Sequence, residues 1–226
     1  MTATFRPRLD VLPVPQRRLW PELAALKEGG FVLYGGTAVA VRLGHRQSVD
    51  FDFFTDRALQ RDRLYRKLPA LARAEVLQDR PDTLTVLVGA EGAQVKLSFF
   101  GGIGFGRVGE PALSEDGVLV AASLLDLMGT KLKALLQRVE AKDYLDIAAM
   151  LQAGVPLPLG LAAARQLYGP AFQPSEALKA LVWFQGGDLE TLQGSTRHVL
   201  AGAAAAVRDL PDVSLRAQSL APDPVE

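Results

Sequence analysis

Apolar residues recur along this chain with two different periods, and the change from one to the other divides it. Up to about residue 120, short strand-like runs dominate. "FVLYGG" is a short buried strand ending in glycines, and "SVDFDFFT" alternates Val49, Phe51 and Phe53 with Asp50 and Asp52. "AEVLQD", "DTLTVLVG" and "AQVKLSFFGG" are β-branched and aromatic runs separated by turn residues, which extend the same sheet. Helices lie between them. "PELAALKEGG" is opened by Pro21 and stopped by Gly29 and Gly30, and "TAVAVRLG" runs from near Thr37 to Gly44. "DRALQRDRLYRKLPALAR" sets Leu59, Leu64, Leu68 and Leu71 against a basic remainder, the pattern of one amphipathic helix.

From Ser123 the spacing becomes helical. "SLLDLMGTKLKALLQR" and "KDYLDIAAMLQAG" are followed by shorter helices, punctuated by Pro and Gly, to about residue 209. The pattern predicts an α/β domain over residues 1–120, an α-helical part over 121–210 and a disordered tail over 211–226, with the boundary between Glu115 and Ser123. Phe172, Trp183 and Phe184 are expected in the core of the helical part.

Composition narrows the function classes. The 226 residues include 49% hydrophobic and 22% charged, as in an ordinary globular protein. Net charge is zero, but residues 1–80 carry 14 Lys/Arg against 9 Asp/Glu and the remainder 11 against 16. Any polyanion contact is therefore local, and Arg57, Arg61, Arg63, Arg66 and Lys67 offer an RNA-backbone contact or a solvated helix face. Cysteine is absent and His45 and His198 are the only histidines, so disulfides, thiolate sites and zinc are disfavoured. No apolar run spans a bilayer and no secretory signal stands at the N-terminus, so a cytoplasmic protein with no membrane partner is expected.

The candidate chemistry lies in "YGGTAVAVRLGHRQSVDFDFFTD". Asp50 and Asp52, two apart on a strand, point the same way and repel each other unless a cation joins them. Mg²⁺ is commonly held by one or two carboxylates plus substrate phosphates. Gly35 and Gly36 let the backbone approach a ligand closely, and the helix that follows points N–H groups at an anion, with the Thr37 hydroxyl beside them. Loop and acidic strand together suit a nucleoside triphosphate with its metal.

"GGTAVAVRLGHRQSVDFDFF" resembles the signature of the nucleotidyltransferase superfamily. With "VKLSFF", "LLDLMGTKLKALLQR" and "KDYLDIAAML", residues 30–152 resemble the AbiEii/AbiGii toxin family of type IV toxin–antitoxin and abortive-infection systems. The resemblance implies an α/β nucleotidyltransferase fold, a mixed sheet flanked by helices, that uses Mg²⁺ and a nucleoside triphosphate. It assigns Gly36 and Thr37 to the phosphates, Asp50 and Asp52 to the metal, Lys131 to the triphosphate, and Asp143 to the acceptor as base or orienting group. Asp146 lies one turn on. Arg138, seven residues from Lys131, shares its face on a continuous helix and joins the candidate phosphate contacts.

Related polymerase-like enzymes commonly carry a third carboxylate on a neighbouring strand. Alternation in "QVKLSFF" puts Lys96, Ser98 and Phe100 on one face, so Ser98 stands where that acid is expected. Asp143 then takes the role, or the acceptor is activated differently, or transfer is slow or lost.

The expected function is an Mg²⁺-dependent nucleotidyltransferase toxin acting on RNA, especially the tRNA 3′ end, or on a protein hydroxyl, with a cognate antitoxin as partner. Two alternatives remain: a non-catalytic descendant that binds nucleotide or a partner, and a small-molecule nucleotidyltransferase of the aminoglycoside-modifying kind.

Overall fold

The computed structural model describes residues 3–89 and 92–222. In chain order the strands are β1 (Thr4–Phe5), β2 (Val32–Tyr34), β3 (Asp50–Phe54), β4 (Glu75–Arg80), β5 (Thr83–Val88), β6 (Val95–Phe100), β7 (Ala112–Ser114) and β8 (Val120–Ala121). The helices are α1 (Val14–Leu19), α2 (Gly35–Leu43), α3 (Arg61–Lys67), α4 (Leu124–Ala134), α5 (Ala141–Gln152), α6 (Leu157–Tyr168), α7 (Pro174–Val182) and α8 (Gly194–Ala206). Two units result: residues 1–106, 110–123 and 217–226, and residues 107–109 with 124–216.

The first unit holds one mixed sheet in the order β1-β7-β8-β2-β3-β6-β5-β4. At its centre β3 pairs antiparallel with β2 and parallel with β6, and β6 pairs antiparallel with β5. The period-two pattern sorts its faces. Phe51, Phe53, Leu84, Val86, Leu97 and Phe99 are each at most 1% exposed. Phe53 stacks between Phe51 and Phe99, and Trp20 and Phe31 close over this layer. Burial of that many large side chains, at about 1.5–3 kcal/mol each, anchors the central strands. The opposite face carries Asp50, Asp52, Phe54, Lys96, Ser98 and Phe100.

The mixed α/β architecture read from the sequence is the one observed. Three local expectations need correction. The basic amphipathic stretch is not one helix: α3 ends at Lys67, and a 3-10 turn covers Pro69–Arg73. Pro69 has no N–H to continue the helix and displaces Leu68 to an extended-side conformation, φ −120° and ψ 89°. The four leucines are nevertheless all buried. Secondly, β7 and β8, and β1 at the sheet edge, are two or three residues long and too short to show a period. Thirdly, residues 217–222 of the stretch expected to be disordered lie on the first unit: Leu220 is 1% exposed and its N–H donates to Asp56 Oδ1 at 3.2 Å. Residues 223–226 of that tail lie outside the described residues.

The second unit is helical. α4 packs against α5 and α6, and α8 against α5 and α7. Gly160 permits the closest of these approaches, since a β-carbon there would come within 2.3 Å of Met128 Cγ. Leu127, Met128, Leu132, Ile147 and Leu161 fill the interior. Phe172 is buried with them and Phe184 is half-buried, but Trp183 is 63% exposed, contrary to the core assignment. α7 ends at Val182, so the helical period that would have turned Trp183 inward no longer applies to it.

Candidate functional site

The sequence places Asp50 and Asp52 on one face of β3, and the fold decides what surrounds them. β2 runs antiparallel beside β3 with Tyr34 opposite Asp52, and the chain turns from Tyr34 directly into α2. Gly35 makes that corner at φ +70°, a conformation that suits glycine. A β-carbon at Gly35 would meet Asp52 Oδ2 at 2.4 Å, so the carboxylate lies against the backbone at the start of α2. Helix α2 begins at Gly35, two residues before the expected Thr37. Gly35 and Gly36 are therefore its first helical residues, with N–H groups that have no acceptor within the helix.

Thr37 is turned inward. It is 2% exposed, its hydroxyl lies 2.7 Å from Ser48 Oγ, and it donates a short hydrogen bond to the backbone carbonyl of Asp50. The side chain expected on the phosphates thus ties α2 to the first residue of β3. Ser48, which sequence reasoning passed over, completes this brace.

The other neighbour of β3 supplies a cation. Parallel pairing sets Lys96 beside Asp50 and Ser98 beside Asp52. Lys96 Nζ lies 2.9 Å from Asp50 Oδ2, both side chains being about one-third exposed at 38% and 34%. Ser98, the residue at the expected third-carboxylate position, is 4% exposed. Lys96 was legible only as a member of the face that carries Ser98; the strand register gives it a partner. Phe54 extends the same face beyond Asp52, stacked on Tyr34 with ring centroids 4.7 Å apart and edge-on to Phe100.

Among the described residues no group of three or more His, Cys, Asp or Glu could hold a metal. Two carboxylates on one strand face fit Mg²⁺, which takes few protein ligands, better than they fit a metal needing a full protein cage.

The remaining candidates gather in the second unit. Lys131 on α4 is 4% exposed, and its ammonium sits 2.6 Å from both Asp143 Oδ1 and Asp146 Oδ2 on α5. Arg138 is not on the helix with Lys131 as expected. α4 ends at Ala134, and N–H groups of residues 136 and 137 bond back three residues, tightening the chain into a turn. From that turn Arg138 still reaches the cluster, donating from Nε to Asp143 Oδ2 at 2.7 Å and from Nη2 to Asp143 Oδ1 at 3.0 Å. Asp143 and Asp146 are both fully buried, which excludes a solvated helix face for either. Burial pushes the Asp143 carboxyl upward, but the Arg138 hydrogen bonds and the Lys131 charge outweigh it and hold the group below the usual carboxylate range. Asp188 holds the start of α5 by accepting from the Ala141 N–H at 2.6 Å.

The basic segment is partly spoken for. Arg61 binds Asp79 at 2.7 Å and the carbonyls of Arg80 and Pro81, and Lys67 pairs with Glu28 at 2.7 Å. Arg57, Arg63 and Lys67 also line a cleft with Leu26, Phe31 and Leu64, on the apolar side of the sheet rather than with the carboxylates.

Residues 19–197 match the family model described as the nucleotidyl transferase AbiEii toxin of type IV toxin–antitoxin systems. An uncharacterized protein of Aquifex aeolicus (strain VF5) is 34% identical over 119 residues, 52% of this chain and 55% of that protein; the chain thus matches about half the length of this curated relative. MenT4, a nucleotidyltransferase toxin from Mycobacterium tuberculosis H37Rv, shares the fold at a TM-score of 0.57 with 13% identity, over 86% of this chain and 84% of that one. No helix among the described residues is long and apolar enough to cross a membrane. The match spans most of the chain and includes both the Gly-Gly-Thr corner and the Asp-x-Asp strand: this chain belongs to the AbiEii nucleotidyltransferase toxin family.

Proposed function

We propose that this protein is an Mg²⁺-dependent toxin that transfers a nucleotide from a nucleoside triphosphate to an RNA or protein acceptor. The observation that carries the reading is the position of Asp52 against Gly35. The start of α2 is a natural anion site, yet Asp52 already brings negative charge to it, with Asp50 two residues away on the same strand face. A triphosphate can join them only with a cation between, which is the arrangement a metal-bound nucleotide requires.

In this reading Asp50 and Asp52 hold the metal, and the N–H groups of Gly35 and Gly36 orient the phosphates. Mg²⁺ would neutralise charge on the transferred group and leaving pyrophosphate. Thr37 acts through the brace on Asp50, fixing the strand that carries both ligands. Lys131 and Arg138 are held by Asp143 and Asp146, so we assign Asp143 first to positioning these cations. A carboxylate stabilised in its ionised form by two cations is a weak proton acceptor, and the general-base role stays open to another group. An antitoxin partner, which the family match supports, and a cytoplasmic site of action belong to this reading.

Ser98 beside Asp52 favours one second reading, a nucleotide-binding protein without transfer activity. Both are tested by incubating the full chain with each of the four labelled nucleoside triphosphates, Mg²⁺, and total bacterial RNA and protein. Label transferred by the wild type, and reduced by roughly a hundredfold or more in Asp52→Asn, supports the enzyme. Nucleotide binding that depends on Asp52, with no transfer under any condition, supports the second reading.

A further inference from the structure

Lys96 has no part in the proposed metal ligands or phosphate contacts, yet its ammonium pairs with one carboxylate oxygen of Asp50, a proposed ligand. We propose that Lys96 is a tethered counter-ion that blocks binding of a bare divalent cation to Asp50 and yields to the cation only when a triphosphate arrives with it. The inference rests on the reading of Asp50 and Asp52 as metal ligands.

Three observations support it. The register of β3 and β6 leaves no choice of neighbour, because Lys96 lies directly beside Asp50 in the parallel ladder. The ion pair is formed, at 2.9 Å. Both partners remain about one-third exposed, so the lysine stem can swing into solvent without leaving a buried charge unpaired.

The consequence is electrostatic. A divalent cation on Asp50 and Asp52 would stand next to the Lys96 ammonium, and like charges at that spacing repel, so a bare ion must displace the lysine with nothing to compensate it. A triphosphate changes the balance. Its oxygens complete the coordination of the metal and simultaneously give the displaced ammonium an anion to bind. Metal and nucleotide would then load together, and Lys96 would become a phosphate contact. With Ser98 rather than a third acid beside Asp52, the β3–β6 ladder sets a lysine, not another carboxylate, against this pair of acids.

The test is Mn²⁺ titration followed by the paramagnetic resonance signal of the free ion. It uses wild type, Lys96→Met, Lys96→Arg and Asp50→Asn, with and without α,β-methylene nucleoside triphosphates. The inference predicts that Lys96→Met binds Mn²⁺ alone about two- to tenfold more tightly than wild type, the range set by a partly exposed ion pair. It predicts that nucleotide improves Mn²⁺ binding less in that variant, while Lys96→Arg behaves as wild type. Unchanged or weaker binding of the bare ion by Lys96→Met overturns the inference and leaves the metal ligands standing, provided Asp50→Asn loses Mn²⁺. If Asp50→Asn binds as well as wild type, or if neither wild type nor Lys96→Met binds Mn²⁺ with nucleotide present, the ligand reading itself fails and the inference with it. Lys96→Gln serves in the same comparison should the methionine variant fold poorly.

Discussion

Asp52 and Gly35 lie so close that a single added methyl group would bring them into collision. A β-carbon at Gly35 would come within 2.4 Å of Asp52 Oδ2, and the backbone there has φ +70°. Gly35→Ala should therefore cost stability twice, through backbone strain and through displacement of the carboxylate, by about 1–3 kcal/mol. Urea denaturation would measure it. Gly202→Ala, where nothing lies within 4 Å of the added atom and the residue is within α8, should instead leave stability unchanged or slightly raised.

The buried hydroxyl of Thr37 joins the helix after the glycine corner to the strand with the carboxylates. Thr37→Val keeps the shape and removes the hydroxyl, leaving Ser48 and the Asp50 carbonyl without it. A loss of about 1–3 kcal/mol is expected, and Thr37→Ser should recover most of it. If Thr37 acted only on phosphate, the two variants would differ in nucleotide affinity and not in melting temperature.

Lys131 serves two fully buried carboxylates at once. Lys131→Met would strand negative charge in the interior at a cost of about 3–5 kcal/mol, lowering the melting temperature by roughly 10 °C or more. Lys179→Met, which breaks the exposed pair with Glu176, should shift it by no more than a degree or two, since such a pair contributes about 0.5 kcal/mol. Calorimetry distinguishes the two. Any loss of transfer in a Lys131 variant has to be read beside its melting curve.

Asp143 is held below its usual pKa by Arg138 and Lys131 despite burial. The unfolded chain then binds a proton that the folded one refuses, so this contribution to stability is complete above the unfolded value of about 3.9 and disappears as pH falls through the folded value. Urea midpoints measured from pH 7 down to pH 3 should fall on the acid side. In Asp143→Asn the protein should be less stable at pH 7, and its acid limb should be shallower by up to about one proton.

Much of this protein was readable without its structure, because the signals are local. Period-two alternation put Asp50 and Asp52 together, glycines marked the corner before α2, and the change to helical spacing near Ser123 marked where the run of helices from α4 to α8 begins. Those patterns depend on neighbours a few residues away, and the motifs they form were enough to indicate the family. Tertiary structure decided what each side chain meets. The β3–β6 register set Lys96 on Asp50 and Ser98 by Asp52, and the turn after Ala134 brought Arg138 to the carboxylate that Lys131 already held. Thr37 faced inward because Ser48 and the Asp50 carbonyl offered its hydroxyl partners there. Alternation tells which way a side chain points; only the packing of distant segments, which must satisfy every buried charge and hydrogen bond together, determines what lies opposite it.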